Sequence, residues 1–242
     1  MTGARRMAQA SWLLSAVLVA GAQSAVGGGP RVTLAMSGSP LAAINAIGRQ
    51  ARLPIGIVVG KDYGRLCRLS GSFDFQGSDA RDALRKVAER AGYTLTEHRG
   101  VEVLLASDIA PWQRDVLNYK LTAYPGMKNE TMAYMGVMLT EWMQAAFDAH
   151  GFAGSVLGSL TDRPLSLPAM RSVSIQEIAD RVVSLDEGGM WIMKPTVAKP
   201  EGAKDVEIEV ISYHDRPDAS SQISCGPTVD QSTQANGGFP PQ

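Results

Sequence analysis

The sequence predicts an α+β protein built as two small two-layer sandwiches, each with two helices packed on a short mixed sheet. Three observations carry this prediction. Between Val32 and Leu105 the apolar spacing alternates between strand and helix periods, in the order strand, helix, strand, strand, helix, strand, strand. After Pro111 the pattern partly repeats, as strand, helix, strand, helix, strand. Each helix carries a single apolar stripe, which must be buried against another layer.

The elements follow in order. Val32 to Met36 alternates as a strand, and Ser39-Pro40 then opens a helix. Serine can cap the first free amides, and proline at the first helical position loses no hydrogen bond. Leu41, Ile44, Ile47 and Ala51 form the inner face of that helix, and Pro54 ends it before the apolar strand Ile55-Gly-Ile-Val-Val59. A loop with Gly60 and Gly64 leads to a strand over Leu69 and Ser72 to Phe75. Gly77-Ser78 opens the second helix, with Ala80, Ala83, Leu84, Val87, Ala88 and Ala91 inward and Arg81, Arg85, Lys86, Glu89 and Arg90 outward. Gly92 stops it, and Tyr93 to Glu97, Gly100, and Val101 to Leu105 form a hairpin.

In the second half, Leu117, Tyr119, Leu121 and Ala123 alternate as a strand. Asn129 or Thr131 caps a long helix that Gly151 ends, with Gly154 to Leu160 and Leu165-Ser-Leu-Pro168 extended beyond it. Ser174-Ile-Gln-Glu177 is a capping box ahead of a helix faced by Ile175, Ile178, Val182 and Leu185. Gly188-Gly189 breaks that helix before a strand from Met190 to Met193. Val206 to Tyr213 alternates apolar and acidic residues, and outward Glu207 and Glu209 would discourage unwanted edge pairing.

The ends of the chain differ from its middle. Arg5 and Arg6 precede an apolar run from Trp12 to Ala20 and then small residues, the layout of a secretory signal peptide over residues 1–24. That run is shorter than the roughly 20 residues needed to cross a bilayer, so no stable membrane insertion is expected after cleavage. Residues 30–107 and 112–214 form the two modules. Residues 215–242 are rich in Ser, Gln, Gly, Pro and Asn and are expected to be disordered.

Composition excludes some functions. With 23 basic and 24 acidic residues and no basic stripe, nucleic acid is not an expected partner. Cys67 and Cys225 could form a disulfide after export, but the position of Cys225 in the tail favours a buried Cys67 and a free Cys225. His98, His150 and His214 lie in different elements, and no spacing of donors suggests a metal site. No serine lies in a nucleophile elbow. No catalytic residue, cofactor or metal ligand is therefore assigned.

The first module resembles the secretin and TonB short N-terminal domain. The resemblance rests on Val32-Thr-Leu with Pro40-Leu41, on Ile47 to Val59, on Leu69 to Ser78, and on Asp82-Ala-Leu84 with Ala91-Gly-Tyr-Thr-Leu95. The second module is a loose, diverged copy. The resemblance implies a periplasmic (or secreted) domain that docks to a secretion, receptor or signalling partner. With no secretin ring or β-barrel following, this chain is expected to be a free-standing relative.

Two elements are candidates for partner binding. Val101, Val103 and Leu105 could form an open sheet edge, to which a partner adds a strand. The helix carrying Met132, Met135, Met138, Trp142 and Met143 is apolar over most of its circumference. Methionine is frequent on adaptable binding faces, so Met135, Met138 and Trp142 are candidates, although packing between the modules explains them better. The expected function is non-catalytic recognition of an envelope protein. The alternative is binding of cell wall or polysaccharide by Trp112, Trp142 and Trp191, and an unrecognised hydrolase ranks third.

Overall fold

A computed structural model describes residues 29–61, 63–148, 151–158, 163–185, 188–195 and 204–213. The expected signal segment and tail, with His150, His214 and Cys225, lie outside the described residues. In chain order the elements are β1 (Arg31–Gly38), α1 (Pro40–Ala51), β2 (Ile55–Val58), α2 (Gly64–Arg68), β3 (Gly71–Asp79), α3 (Ala80–Arg90), β4 (Tyr93–His98) and β5 (Val101–Ala106). There follow α4 (Pro111–Asn118), β6 (Lys120–Tyr124), β7 (Met127–Glu130), α5 (Met132–Asp148), β8 (Phe152–Gly158), β9 (Leu165–Leu167), β10 (Met170–Ser174), α6 (Ile175–Leu185), β11 (Gly189–Pro195) and β12 (Lys204–Ser212). The protein is α+β, as the patterning predicts.

Local chemistry sets most boundaries. The Ala42 amide donates to Ser39 Oγ at 3.2 Å, and Pro40 follows as the first helical residue. For α3 the cap is Asp79 rather than Ser78, its carboxylate accepting from the amides of Arg81 and Asp82. Gly92, at φ +79°, reverses the chain after α3 in a conformation that costs glycine little. The capping box of α6 is reciprocal: the Glu177 amide donates to Ser174 Oγ, and the Ser174 amide donates to Glu177 Oε2.

Five strands of the second half repeat the pairings of the first, while the antiparallel pair β7–β9 has no counterpart there. In the first, β2 pairs parallel with β5, and β5 pairs antiparallel with β4. In the second, β8 pairs parallel with β12, and β12 antiparallel with β11. An antiparallel ribbon accompanies each set, β1 with β3 and β6 with β10. The expected separation into two sheets does not hold. The parallel pair β2–β11 joins the sets into one six-stranded sheet of order β4-β5-β2-β11-β12-β8.

Two cores lie on opposite faces of this sheet. Alternation sends Ile55, Ile57, Leu104, Met190 and Ile192 toward α1 and α3, and Val58, Val101, Val103, Trp191 and Met193 toward α4 and α6. The ribbon β1–β3 closes over α1 and α3 with Val32, Phe73 and Phe75, so the first module has a third layer beyond the two expected. At the junction, Gly56 lies against the wholly buried Trp191: a Cβ there would sit 2.3 Å from its ring. Only glycine lets the two modules approach this closely.

Other expectations are corrected. Helix α4 occupies residues read partly as strand, and buried Gln113 ties it to the sheet by donating to the Val59 carbonyl at 2.8 Å. Helix α2 replaces the expected loop and carries Cys67, which is half-buried and disulfide-bonded, against the favoured reading of a buried Cys67 and a free Cys225. Glu207 and Glu209 do not guard an edge, because β12 is internal. They clamp Lys194 Nζ at 2.7 and 3.2 Å. Burial would lower the Lys194 pKa, but the two carboxylates outweigh it and hold the ammonium above its usual range. Among the described residues no helix is long and apolar enough to cross a membrane.

Candidate interaction surface

The six-stranded sheet ends in β4 and β8. Helix α5 lies along β8 and closes its edge. Thr140 Oγ1 accepts from the Val156 amide at 2.8 Å and lies 3.3 Å from the Val156 carbonyl, occupying the backbone groups turned away from β12. One turn earlier Gly136 touches the strand itself: a Cβ there would lie 2.7 Å from Gly158 N. A sheet edge covered by a helix is no longer a template for pairing.

Among the described residues no strand pairs with the far side of β4. Its outward groups follow from the hairpin. Arg99 and Gly100 both have positive φ, which makes a two-residue type I′ turn between the directly paired His98 and Val101. The backbone groups of His98, Thr96 and Thr94 therefore point to β5, and those of Glu97, Leu95 and Tyr93 point away from the sheet. The Glu102 amide confirms the alternation by donating to Pro54 on the opposite side of β5.

Side chains fix this edge from three directions. On the α3 face, Arg81 bridges exposed Glu97 at 3.2 Å and buried Glu102 at 3.1 Å. Burial raises the Glu102 pKa, and Arg81 opposes the rise. On the other face, His98 Nδ1 lies 2.5 Å from Oδ2 of Asp180, which is buried on α6. Oδ1 of Asp180 accepts from Trp191 Nε1 at 2.8 Å. Burial raises the Asp180 pKa, and the His98 and Trp191 hydrogen bonds pull it back. Arg99 pairs with Glu177 of α6 beside them. At the Tyr93 end a cleft of about 190 Å³ opens, lined by Arg65, Tyr93, Ser107 and Asp108 among others.

The sequence-derived candidates fall elsewhere. β5 is not an edge, because β4 and β2 flank it, and Val101 and Val103 are buried beneath the second module. Leu105 is half-buried against the same core. Met135 is buried, and Met138 and Trp142 pack against the second core. Trp142 meets Tyr124 edge-on at 5.0 Å. Burial pushes the Tyr124 hydroxyl up to about 12. The Met-rich helix is thus mainly packing. Trp191 is buried and Trp112 half-buried, so the tryptophans set no exposed aromatic platform among the described residues.

The basic face of α3 is engaged locally. Arg85 pairs with Asp82, and Arg90 donates to the Ser72 carbonyl while lying over the Phe73 ring. Sequence reasoning missed the link from His98 to Asp180, since nothing local joins residues 82 positions apart. Among the described residues no group of three or more His, Cys, Asp or Glu could hold a metal ion. No family model, no curated protein and no solved structure matches this chain.

Proposed function

We propose that the protein is a non-catalytic recognition module of the cell envelope, periplasmic or secreted, which pairs with a protein partner through the open edge of β4. The observation that carries this reading is the contrast between the two ends of the sheet. The β8 edge is closed by α5, whereas β4 turns the backbone of Leu95 and Glu97 outward, and no described strand pairs with that side. Backbone pairing would supply affinity, and the side chains beside the edge would supply specificity.

The resemblance to secretin and TonB short N-terminal domains supports the same reading for the first module, because those domains act by docking. The test uses the whole mature chain, since the modules share a sheet. Glu97→Pro removes an outward amide at an edge position where proline is tolerated, and Glu97→Ala removes only the side chain. In crosslinking capture from intact envelopes, wild type and Glu97→Ala should recover the same protein and Glu97→Pro should lose it. Equal recovery by both variants would refute pairing at β4.

A further inference from the structure

Cys67 on α2 is disulfide-bonded, and Cys225 is the one other cysteine in the sequence. We propose that these two are joined within one chain, which straps the segment beyond β12 back across α2 to the Tyr93 end of β4. On the reading above that β4 is a pairing edge, the strap limits how far along it a partner strand can extend.

The segment is long enough. Tyr213, the residue after β12, lies against Gly48 and Gly188 at the end of the sheet where β2 begins. Arg65 of α2 lines the same cleft as Tyr93 and Ala106, which belong to the opposite end, beyond Val58. Cys225 comes twelve residues after Tyr213, and at about 3.3 Å each these residues reach about 40 Å. The strand between the two ends, β2, covers about 10 Å. The strap therefore reaches Cys67 with length to spare.

The surface of α2 suits a covering segment. Leu69 is the C-cap of this helix and is 42% exposed, one of few large apolar side chains left open among the described residues. A disulfide holds its two Cα atoms within about 7 Å, so the neighbours of Cys225 must lie along those of Cys67. An antiparallel crossing sets Ile223, the large aliphatic residue nearest Cys225, on Leu69 and takes both from water. It also carries Gly226 to Asp230 past Arg65 toward the cleft of about 190 Å³. Arg65, Cys67 and Tyr93 all hold partners, so this corner is no vacant pairing surface, and the stretch left to a partner strand is Leu95 to Glu97.

Release follows by exchange with a dithiol. The Sγ–Sγ bond takes up two electrons and two protons to give the two thiols, and the dithiol is oxidised to its own disulfide. The Tyr93 end of β4 then loses its strap, and a partner strand can extend over the whole edge.

The test begins with non-reducing peptide mapping of the full chain, on the species that sediments as a monomer. The peptide holding Cys67 should be joined to the peptide holding Cys225, and dithiothreitol should part them. Hydrogen exchange then locates the strap. In Cys225→Ser, and in wild type after dithiothreitol, amides of residues 64–69 and 91–95 should exchange about tenfold faster, with those of β11 and β12 unchanged. Ile223→Asp keeps the bond and should speed exchange around Leu69 alone. Free thiols in wild type, a bond between two chains, or equal exchange with and without the bond would each overturn the proposal. Envelope capture should rise several-fold in Cys225→Ser and be lost when Glu97→Pro is added; capture equal to wild type would refute the limit on pairing. Capture that ignores Glu97→Pro would refute the edge reading, with the strap still decided by mapping and exchange. Capture lost in Glu97→Pro, with exchange indifferent to the bond, would refute the strap alone.

Discussion

Asp180 holds the most exacting polar contact in the structure, and replacing it separates charge from hydrogen bonding. In Asp180→Ala the buried Trp191 Nε1–H loses its acceptor, and a stranded buried donor costs about 1–3 kcal/mol. The bond to His98 is also lost. It counts for less, about 1 kcal/mol, because water reaches the histidine side, which is 39% exposed. Freeing a desolvated carboxylate offsets part of this, so the net loss should be about 2–3 kcal/mol. Asp180→Asn keeps an acceptor for Trp191 and can donate to Nδ1 of the other His98 tautomer, so its loss should stay below about 1 kcal/mol. The assay is urea unfolding near pH 7, followed by circular dichroism and by tryptophan fluorescence so that two-state behaviour is checked. With a slope of about 1–3 kcal/mol per molar, the alanine midpoint should fall by about 0.7 M or more.

A pH series extends the same experiment. Burial raises the Asp180 pKa, so the folded state holds its proton more tightly than the unfolded one. That contribution to stability is complete below the unfolded value and is lost as pH rises through the folded value. Asp180→Asn lacks this loss and should therefore gain on wild type as pH rises through that window. An asparagine variant as unstable as the alanine one, or a gain in the opposite direction, would refute the account.

Gly56→Ala should destabilise by about 1–3 kcal/mol, read as a lower melting temperature, because the new methyl meets a Trp191 ring held in place by Asp180. No change in melting would sink that reasoning. Thr140→Val should cost about 1 kcal/mol and, by uncovering Val156, raise light scattering at high concentration; a variant that scatters no more than wild type would show that α5 does not guard β8. The Ser174 amide holds the Glu177 pKa below its usual 4.5, with Arg99 adding to the effect. Its stabilisation is thus present above 4.5 and lost as pH falls through the folded value, so the gap between wild type and Glu177→Gln should be constant near neutrality and close in acid. Under denaturing conditions without reductant, the protein should take up no thiol reagent, in keeping with the bonded state of Cys67.

Elements whose cause is local were legible from sequence. Ser39-Pro40, the box from Ser174 to Glu177 and the hairpin turn at Gly100 act through neighbours a few residues away. The alternation of strand and helix periods in both halves was legible, since each helix buries one apolar stripe. What escaped depends on distant partners. Ile55-Gly-Ile-Val58 reads as a buried strand in any arrangement, and nothing in it names β11 as the neighbour on its second side. The error over Val101 and Val103 has the same origin, for an apolar strand looks alike as an edge awaiting a partner and as the middle of a sheet. β4 escaped notice as the true edge because its Thr, Glu and His side chains read as an ordinary solvated strand.

The junction between β2 and β11 also has a consequence in time. Residues 55–58 must wait for residues 190–193 before their second side is satisfied, so the centre of the sheet is completed by some of the last strands to be made. Pairings this distant in sequence form slowly. In the interval the first module exposes a bare β2 edge and the apolar face of Val101 and Val103. A nascent chain in that condition exposes strand edges and apolar surface that favour aggregation. Ribosomal products that stop short of β11 should accumulate as aggregates rather than as a folded first half.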